Sequence, residues 1–216
     1  MIFFLYLKTF YPIKANYAKD MRVNGKIFMS EKSVEMPEGI DVSQEFSSLT
    51  MKGPKGELKR DFSHPKVHTR IEGNNVIFKS DDDRKKTIAL LGTFSAHARN
   101  MIIGVTQGWD CRLKAVYSHF PMKVAVEGDK VVIQNFMGER NTRNSAIIGE
   151  TKVNVKKDEI IVTGIDKEDA GQTAANIEQV TKVTKFDRRV FQDGIFITQK
   201  CQPIEEKQGK EEKQEK

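Results

Sequence analysis

The sequence predicts an α+β chain of two tandem, duplicated domains, each a small and mostly antiparallel sheet packed by one helix. Three observations point there. The chain aligns with itself: residues 49–56 match 131–138, each an alternating strand running into a glycine turn. Residues 76–78 match 160–162, each a short apolar strand before an acidic cluster, and the two offsets, 82 and 84 residues, nearly agree. Each repeat then closes on one helical stripe. Much of the remainder alternates at the two-residue period of half-buried strands.

The first helix is expected to open at Asp82 and Asp83, acidic residues suited to cap its N-terminus and complement its dipole. Ile88, Leu91, Ser95, Ala98 and Ile102, spaced three and four apart, form its stripe, and Gly104 is the expected stop. The second helix is expected after Asp166, with Asp169 in its first turn. Its stripe is Ala170, Ala174, Ile177 and Val180, and the small Ala174-Ala175 pair implies close approach to a sheet. Strands are expected over 57–62, 67–72, 112–118, 122–126, 130–136, 152–155 and 195–199. A boundary falls near Phe120-Pro121. The division is 1–30 as an N-terminal extension, 31–120 and 121–202 as the two domains, and 203–216 as a charged tail. That tail holds five Glu and four Lys with almost no apolar atoms, the composition of a disordered segment.

Composition narrows the rest. The formal charge is +6 over 216 residues, but residues 1–28 hold five cations against one anion and supply +4 of it. The remaining +2 is slight, so any nucleic-acid site must be a local patch. No run approaches the roughly 20 apolar residues that span a bilayer. The apolar block before Lys8 is short and lacks a basic leader. A signal peptide is a poor fit, and Met21 or Met29 as the true start is the simpler reading. Cys111 and Cys201 lie far apart with no CxxC spacing, and the expectation is two reduced thiols without disulfide or zinc.

Catalytic and metal chemistry finds little support. His64 and His68 are four apart, but on a strand that spacing separates them by roughly 13 Å, and Pro65 lies between them. His97 reads as a helix–sheet hydrogen-bonding residue and His119, ahead of Phe120-Pro121, as a packing residue. Asp81, Asp82 and Asp83 read as a helix cap with a solvated acidic turn. The glycines at 53 and 56 lack the Walker spacing and read as a hairpin turn. No nucleophile elbow is present, so no catalytic constellation, cofactor or metal is expected.

Two segments suit an RNA backbone. Residues 187–200, DRRVFQDGIFITQK, set Arg188, Arg189 and Lys200 around the turn pair Asp193-Gly194 and the alternation Ile195-Phe196-Ile197, with Lys182 and Lys185 just upstream. Charges held at fixed positions match phosphates held at fixed positions. Residues 138–144 form a long polar loop, expected to be flexible, with Arg140 and Arg143 beside amide and hydroxyl groups.

The run Gln179-x3-Val183-x5-Arg189-x-Phe191-x-Asp193-Gly194-Ile195-Phe196-Ile197-x2-Lys200 resembles the C-terminal signature of the large-subunit ribosomal protein L-six family in its archaeal and eukaryotic form. Other pieces resemble it in order: Gly53-Pro54-Lys55-Gly56-Glu57-Leu58 with Arg60-Asp61-Phe62; His97 and Asn100-Met101-Ile102 with Gly104-Val105-Thr106-x-Gly108; 116–121; and Asn135-Phe136-x-Gly138-Glu139. The likeness covers about residues 34–201. Phe186 departs from it, standing where Lys or Arg is usual, as does Phe196, where Tyr is usual. The resemblance implies a non-enzymatic structural constituent of the cytoplasmic large ribosomal subunit. It implies binding of large-subunit rRNA near the stalk base and the region engaged by translational GTPases. The partners implied are that rRNA, neighbouring ribosomal proteins and, transiently, those GTPases, with no membrane. Most of the contact is expected from the second domain, through Arg140, Arg143, Lys182, Lys185, Arg188, Arg189 and Lys200. The residues alone leave two rivals: a protein-interaction module using exposed sheet edges, and a hydrolase with dispersed His and Asp groups.

Overall fold

The computed structural model describes residues 30–204 apart from Asp81, Asp83, Lys185 and Arg188. The expectations for the N-terminal extension, for Asp81 and Asp83, for Lys185 and Arg188 and for the tail beyond residue 204 lie outside the described residues. Two compact units emerge. One comprises residues up to 51 with 59–99, and the other 52–58 with 100 onward.

The first unit holds β1 (Glu31–Glu35), β2 (Asp41–Glu45), most of β3 (Ser48–Gly53), half of β4 (Gly56–Asp61), β5 (Val67–Glu72), β6 (Asn75–Ser80) and most of α1 (Lys85–Thr106). They form two antiparallel-built sheets ordered β1-β6-β5 and β2-β3-β4. The core is aromatic: the rings of Phe62, Phe78 on β6 and Phe94 on α1 meet at 5.3–6.1 Å in tilted and edge-on pairs. Leu49, Met51, Val76 and Leu91 are fully buried there. Each buried side chain of this size contributes about 1.5–3 kcal/mol.

The second unit holds β7 (Trp109–Val116), β8 (Lys123–Glu127), β9 (Lys130–Gln134), β10 (Arg143–Ala146), β11 (Lys152–Lys156), β12 (Glu159–Gly164), α2 (Lys167–Val180) and β13 (Gly194–Pro203). Its sheets are ordered β8-β9-β10 and β11-β12-β7-β13. Leu113, Ile133, Phe136, Ile160, Val162, Ala174, Ile177 and Ile195 make one buried cluster beneath α2.

The duplication is visible in topology. β2-β3-β4 corresponds to β8-β9-β10, and β5-β6-β1 to β11-β12-β7. β3 starts at 48 and β9 at 130; α1 starts at 85 and α2 at 167. Among the described residues, only the second unit adds a further strand, β13, on the outer side of β7.

Several local expectations are corrected. α1 passes Gly104, whose missing Cβ would fall 2.2 Å from the Ile165 carbonyl oxygen; Gly104 is there for close approach. The helix ends instead near Gly108, at φ +75°, whose N–H donates to Ile103 O. Asp82 accepts the Arg84 N–H at 3.3 Å just ahead of α1 and pairs with Lys66 at 2.9 Å, while the helix itself opens at Lys85. Ile88 is exposed and Thr87 takes the buried position. α1 is long and apolar enough in composition to cross a bilayer, but its stripe of Leu91, Ser95, Ala98, Met101, Ile102 and Val105 is buried in protein. Strands β1 and β2 were not expected, and Pro203 belongs to β13 rather than to the tail. The boundary near residue 120 falls after β7, although β7 pairs within the second unit.

Cys111 and Cys201 form a disulfide, which overturns the expectation of reduced thiols. Antiparallel pairing of β7 with β13 brings residues 90 apart in sequence to a Cα separation of 4.2 Å. Sequence spacing carries no trace of that proximity.

Candidate nucleic-acid interface

The segment joining α2 to β13 carries most of the candidate residues. Thr181 ends the helix, its hydroxyl donating to Glu178 O at 3.1 Å while accepting from the Ile195 N–H at 2.9 Å. Both ends of the 182–193 connection are thereby pinned. Within it, Asp187 forms a tight turn: its carboxylate accepts from the Arg189 N–H at 2.9 Å, and its carbonyl from the Val190 and Phe191 N–H groups. Phe191 bends back over the His119 ring at 4.7 Å, and Phe186 lies 5.0 Å from Phe191.

Asp193 is not an exposed turn residue. It is 2% exposed and collects the Ser118 N–H and hydroxyl, each at 2.9 Å, and the His119 N–H at 3.3 Å, with His119 Nδ1 at 3.2 Å. Burial pushes its pKa up, but the hydrogen bonds from Ser118 and His119 outweigh burial and hold the carboxyl below the usual range. The hub locks the start of β13 to residues 118 and 119. An open groove of about 550 Å³ lies beside it, walled by Val116, Phe191, Ile195 and Phe196, with Lys182 and Glu178 at its polar side.

The expected cations divide. Lys182, Arg189, Lys200 and Arg140 are exposed, and none of their side chains has a hydrogen-bond or ion-pair partner shown among the described residues. Lys200 shares the exposed face of β13 with Phe196 and Thr198. Arg143 is different. Its guanidinium forks onto Glu139 at 2.8 and 2.6 Å, donates to the Val180 carbonyl at 2.6 Å and lies 4.3 Å above the Phe136 ring. That carbonyl is at the C-terminal end of α2, where a cation is favoured. Arg143 also pulls the Glu139 pKa down. The 138–144 stretch is therefore no free loop: Phe136–Gly138 is a 3-10 turn, β10 starts at Arg143, and Arg143 straps this turn to the end of α2. A cleft of about 290 Å³ lined by Arg143, Glu139, Val183 and Phe186 joins the two expected basic segments.

His119 packs as expected, against Phe191; sequence reasoning gave no role in the candidate site to Phe186, Phe191 and Phe196. Phenylalanines interleaved with cations in 185–191 were the available signal. His97 takes the helix–sheet role expected of it, with Nε2 3.5 Å from an Arg60 guanidinium nitrogen.

Known proteins fit this architecture. The family model "Ribosomal protein L6" matches residues 36–108 and again 120–194, one match for each repeat. The chain belongs to the ribosomal protein L6 family. It is 50% identical over 170 residues to the large ribosomal subunit protein uL6 of Methanosarcina mazei, covering 79% of this chain and 97% of that protein. It is 49% identical over 171 residues to uL6 of Methanocella arvoryzae, covering 79% and 97%. Against uL6 of Haloarcula marismortui the identity is 44% over 172 residues, covering 80% and 97%. These three relatives are archaeal. As a ribosomal protein of this family, the chain is a structural component and not an enzyme.

Proposed function

We propose that this L6-family chain is a structural constituent of the cytoplasmic large ribosomal subunit. Its second unit holds large-subunit rRNA near the stalk base and the region engaged by translational GTPases, beside neighbouring ribosomal proteins. One observation carries the RNA contact: Arg140, Lys182, Arg189 and Lys200 are exposed on the second unit without a described protein partner. Cations not neutralised by their own fold are available to phosphates, and each one engaged releases counterions. Lys185 and Arg188 belong to the same basic run. Arg143 contributes indirectly, by fixing the 136–143 turn against α2. The protein acts as a clamp: its rigid sheets set the positions of the charges, and RNA segments that match them are held in one arrangement.

A salt titration of full-chain binding to large-subunit rRNA tests this. Arg189→Ala is expected to lower the slope of log affinity against log salt by roughly 0.7–0.9. Arg143→Ala is expected to leave the slope within error and to cost stability instead. The half-exposed Glu139 pair is worth less than ~1 kcal/mol. The carbonyl bond and the Phe136 face bring the total to about 1–2 kcal/mol. Equal slopes for wild type and Arg189→Ala would remove Arg189 from the contact.

A further inference from the structure

We propose that Phe186 is a stacking platform for an unpaired base of the bound RNA. This rests on the RNA-binding function proposed above and adds a ligand class that phosphate contacts do not require. Phe186 is 53% exposed and directly precedes the turn that Asp187 closes on Val190 and Phe191. Its ring is not loose on the surface. It leans on Phe191 at 5.0 Å and 49°, Phe191 leans on His119 at 4.7 Å and 33°, and His119 is held through Nδ1 by the buried Asp193 carboxylate at 3.2 Å. A chain of rings thus runs from a buried anion outward to one open aromatic face.

The ring packs on Phe191 on one side and is open to solvent over about half of its surface. A flat π surface without hydrogen-bonding groups suits another flat π surface. The charges select which one. Lys182 and Arg189 are exposed on the same connection, so an occupant with an anionic backbone is favoured. A nucleotide in single-stranded RNA has both parts: a base to stack and phosphates to meet the cations. A purely apolar protein segment would leave both cations unanswered. Paired bases in a helix present no free face, so the site takes a bulged, looped or terminal nucleotide.

Full chain and in-vitro transcribed large-subunit rRNA from the same source test this. Phe186→Ala is expected to weaken binding about 5- to 150-fold, the range for losing one base–aromatic stack, with an unchanged salt slope because no charge is removed. Phe186→Trp is expected to retain affinity, and its introduced indole to be quenched as rRNA is added. The native Trp109 is 3% exposed and contributes a constant background. Phe186 is surface-exposed, so both variants are expected to melt as wild type does. If Phe186→Ala binds as tightly as wild type while Arg189→Ala still loses slope, the stacking site is overturned and the RNA function stands. If wild-type protein shows no salt-dependent affinity for the rRNA, the function itself falls, and the stacking site with it.

Discussion

Asp193 shows how far a residue's local sequence can mislead. Asp-Gly is a turn dipeptide, and nothing nearby signals burial. The groups that bury it, Ser118 and His119, lie 75 and 74 residues away. Only the meeting of the 116–121 segment with the start of β13 brings them together. The carboxyl is held below the usual pKa, so its contribution is fully present above the unfolded value and is lost as pH falls through the folded one. Asp193→Asn is expected to lower the neutral-pH melting temperature and to flatten its fall between about pH 5 and pH 2. Asp169 has the opposite sign. Burial, then Asp166 and Glu168, push its pKa up, so its charged form works against the fold at neutral pH. Its carboxylate also crowds Gly149, where an added Cβ would lie 2.2 Å from an oxygen. Asp169→Asn is therefore expected to stabilise at pH 7, an advantage that shrinks as acid protonates the native carboxyl. Melting curves across pH check both; a parallel acid limb in Asp193→Asn would sink the hub's role.

At the scale of elements, periodicity was a good guide where the period was clean. The strands at 67–72 and 152–156, and both helical stripes apart from Ile88, were legible for that reason. It failed where an end is set by a distant neighbour. Gly104 looks like a helix stop by composition, yet the backbone of Ile165 decides its identity. In an exposed helix interior, Gly→Ala gains about 1 kcal/mol. Gly104→Ala is expected to lose about 1–3 kcal/mol instead, because its methyl meets a carbonyl that has nowhere to go. Gly92→Ala is the control: the new Cβ meets only the movable tip of Lys32 at 3.1 Å, so stability is held or raised. Denaturant midpoints that rank the two variants the other way would contradict the close approach. The disulfide between β7 and β13 belongs to this scale too. Its chain closes a long loop and Gly171 of α2 lies over it, 3.6 Å from Cys201 Sγ to an added Cβ. Alkylation of unfolded, unreduced protein is expected to label neither of the two cysteines, and Cys201→Ala to cost about 2–4 kcal/mol. Two labelled thiols would be decisive against the bond.

For the whole molecule, the two-fold use of one module was readable because two short matches kept nearly one offset. What no self-alignment could show is the asymmetry between the halves. β1 opens the first unit's sheet on β6, and β7 occupies the equivalent place on β12. The second sheet then continues to β13, so β7 is a central strand buried between two partners. Cys111, Leu113 and Ala115 on β7 supply a large part of the second core. A division at Phe120-Pro121 follows the repeat and the proline, but it cuts this strand away. Without β7, β13 loses its sheet neighbour and β12 gains an open edge. A fragment of residues 121–204 is therefore expected to show no cooperative thermal transition and poor dispersion in amide NMR spectra. A fragment of 107–204, which restores β7, is expected to melt cooperatively and to retain the basic connection 182–193 pinned through Thr181 and Asp193. A cooperative melt from 121–204 would mean that the second repeat needs neither the strand before it nor the disulfide that strand carries.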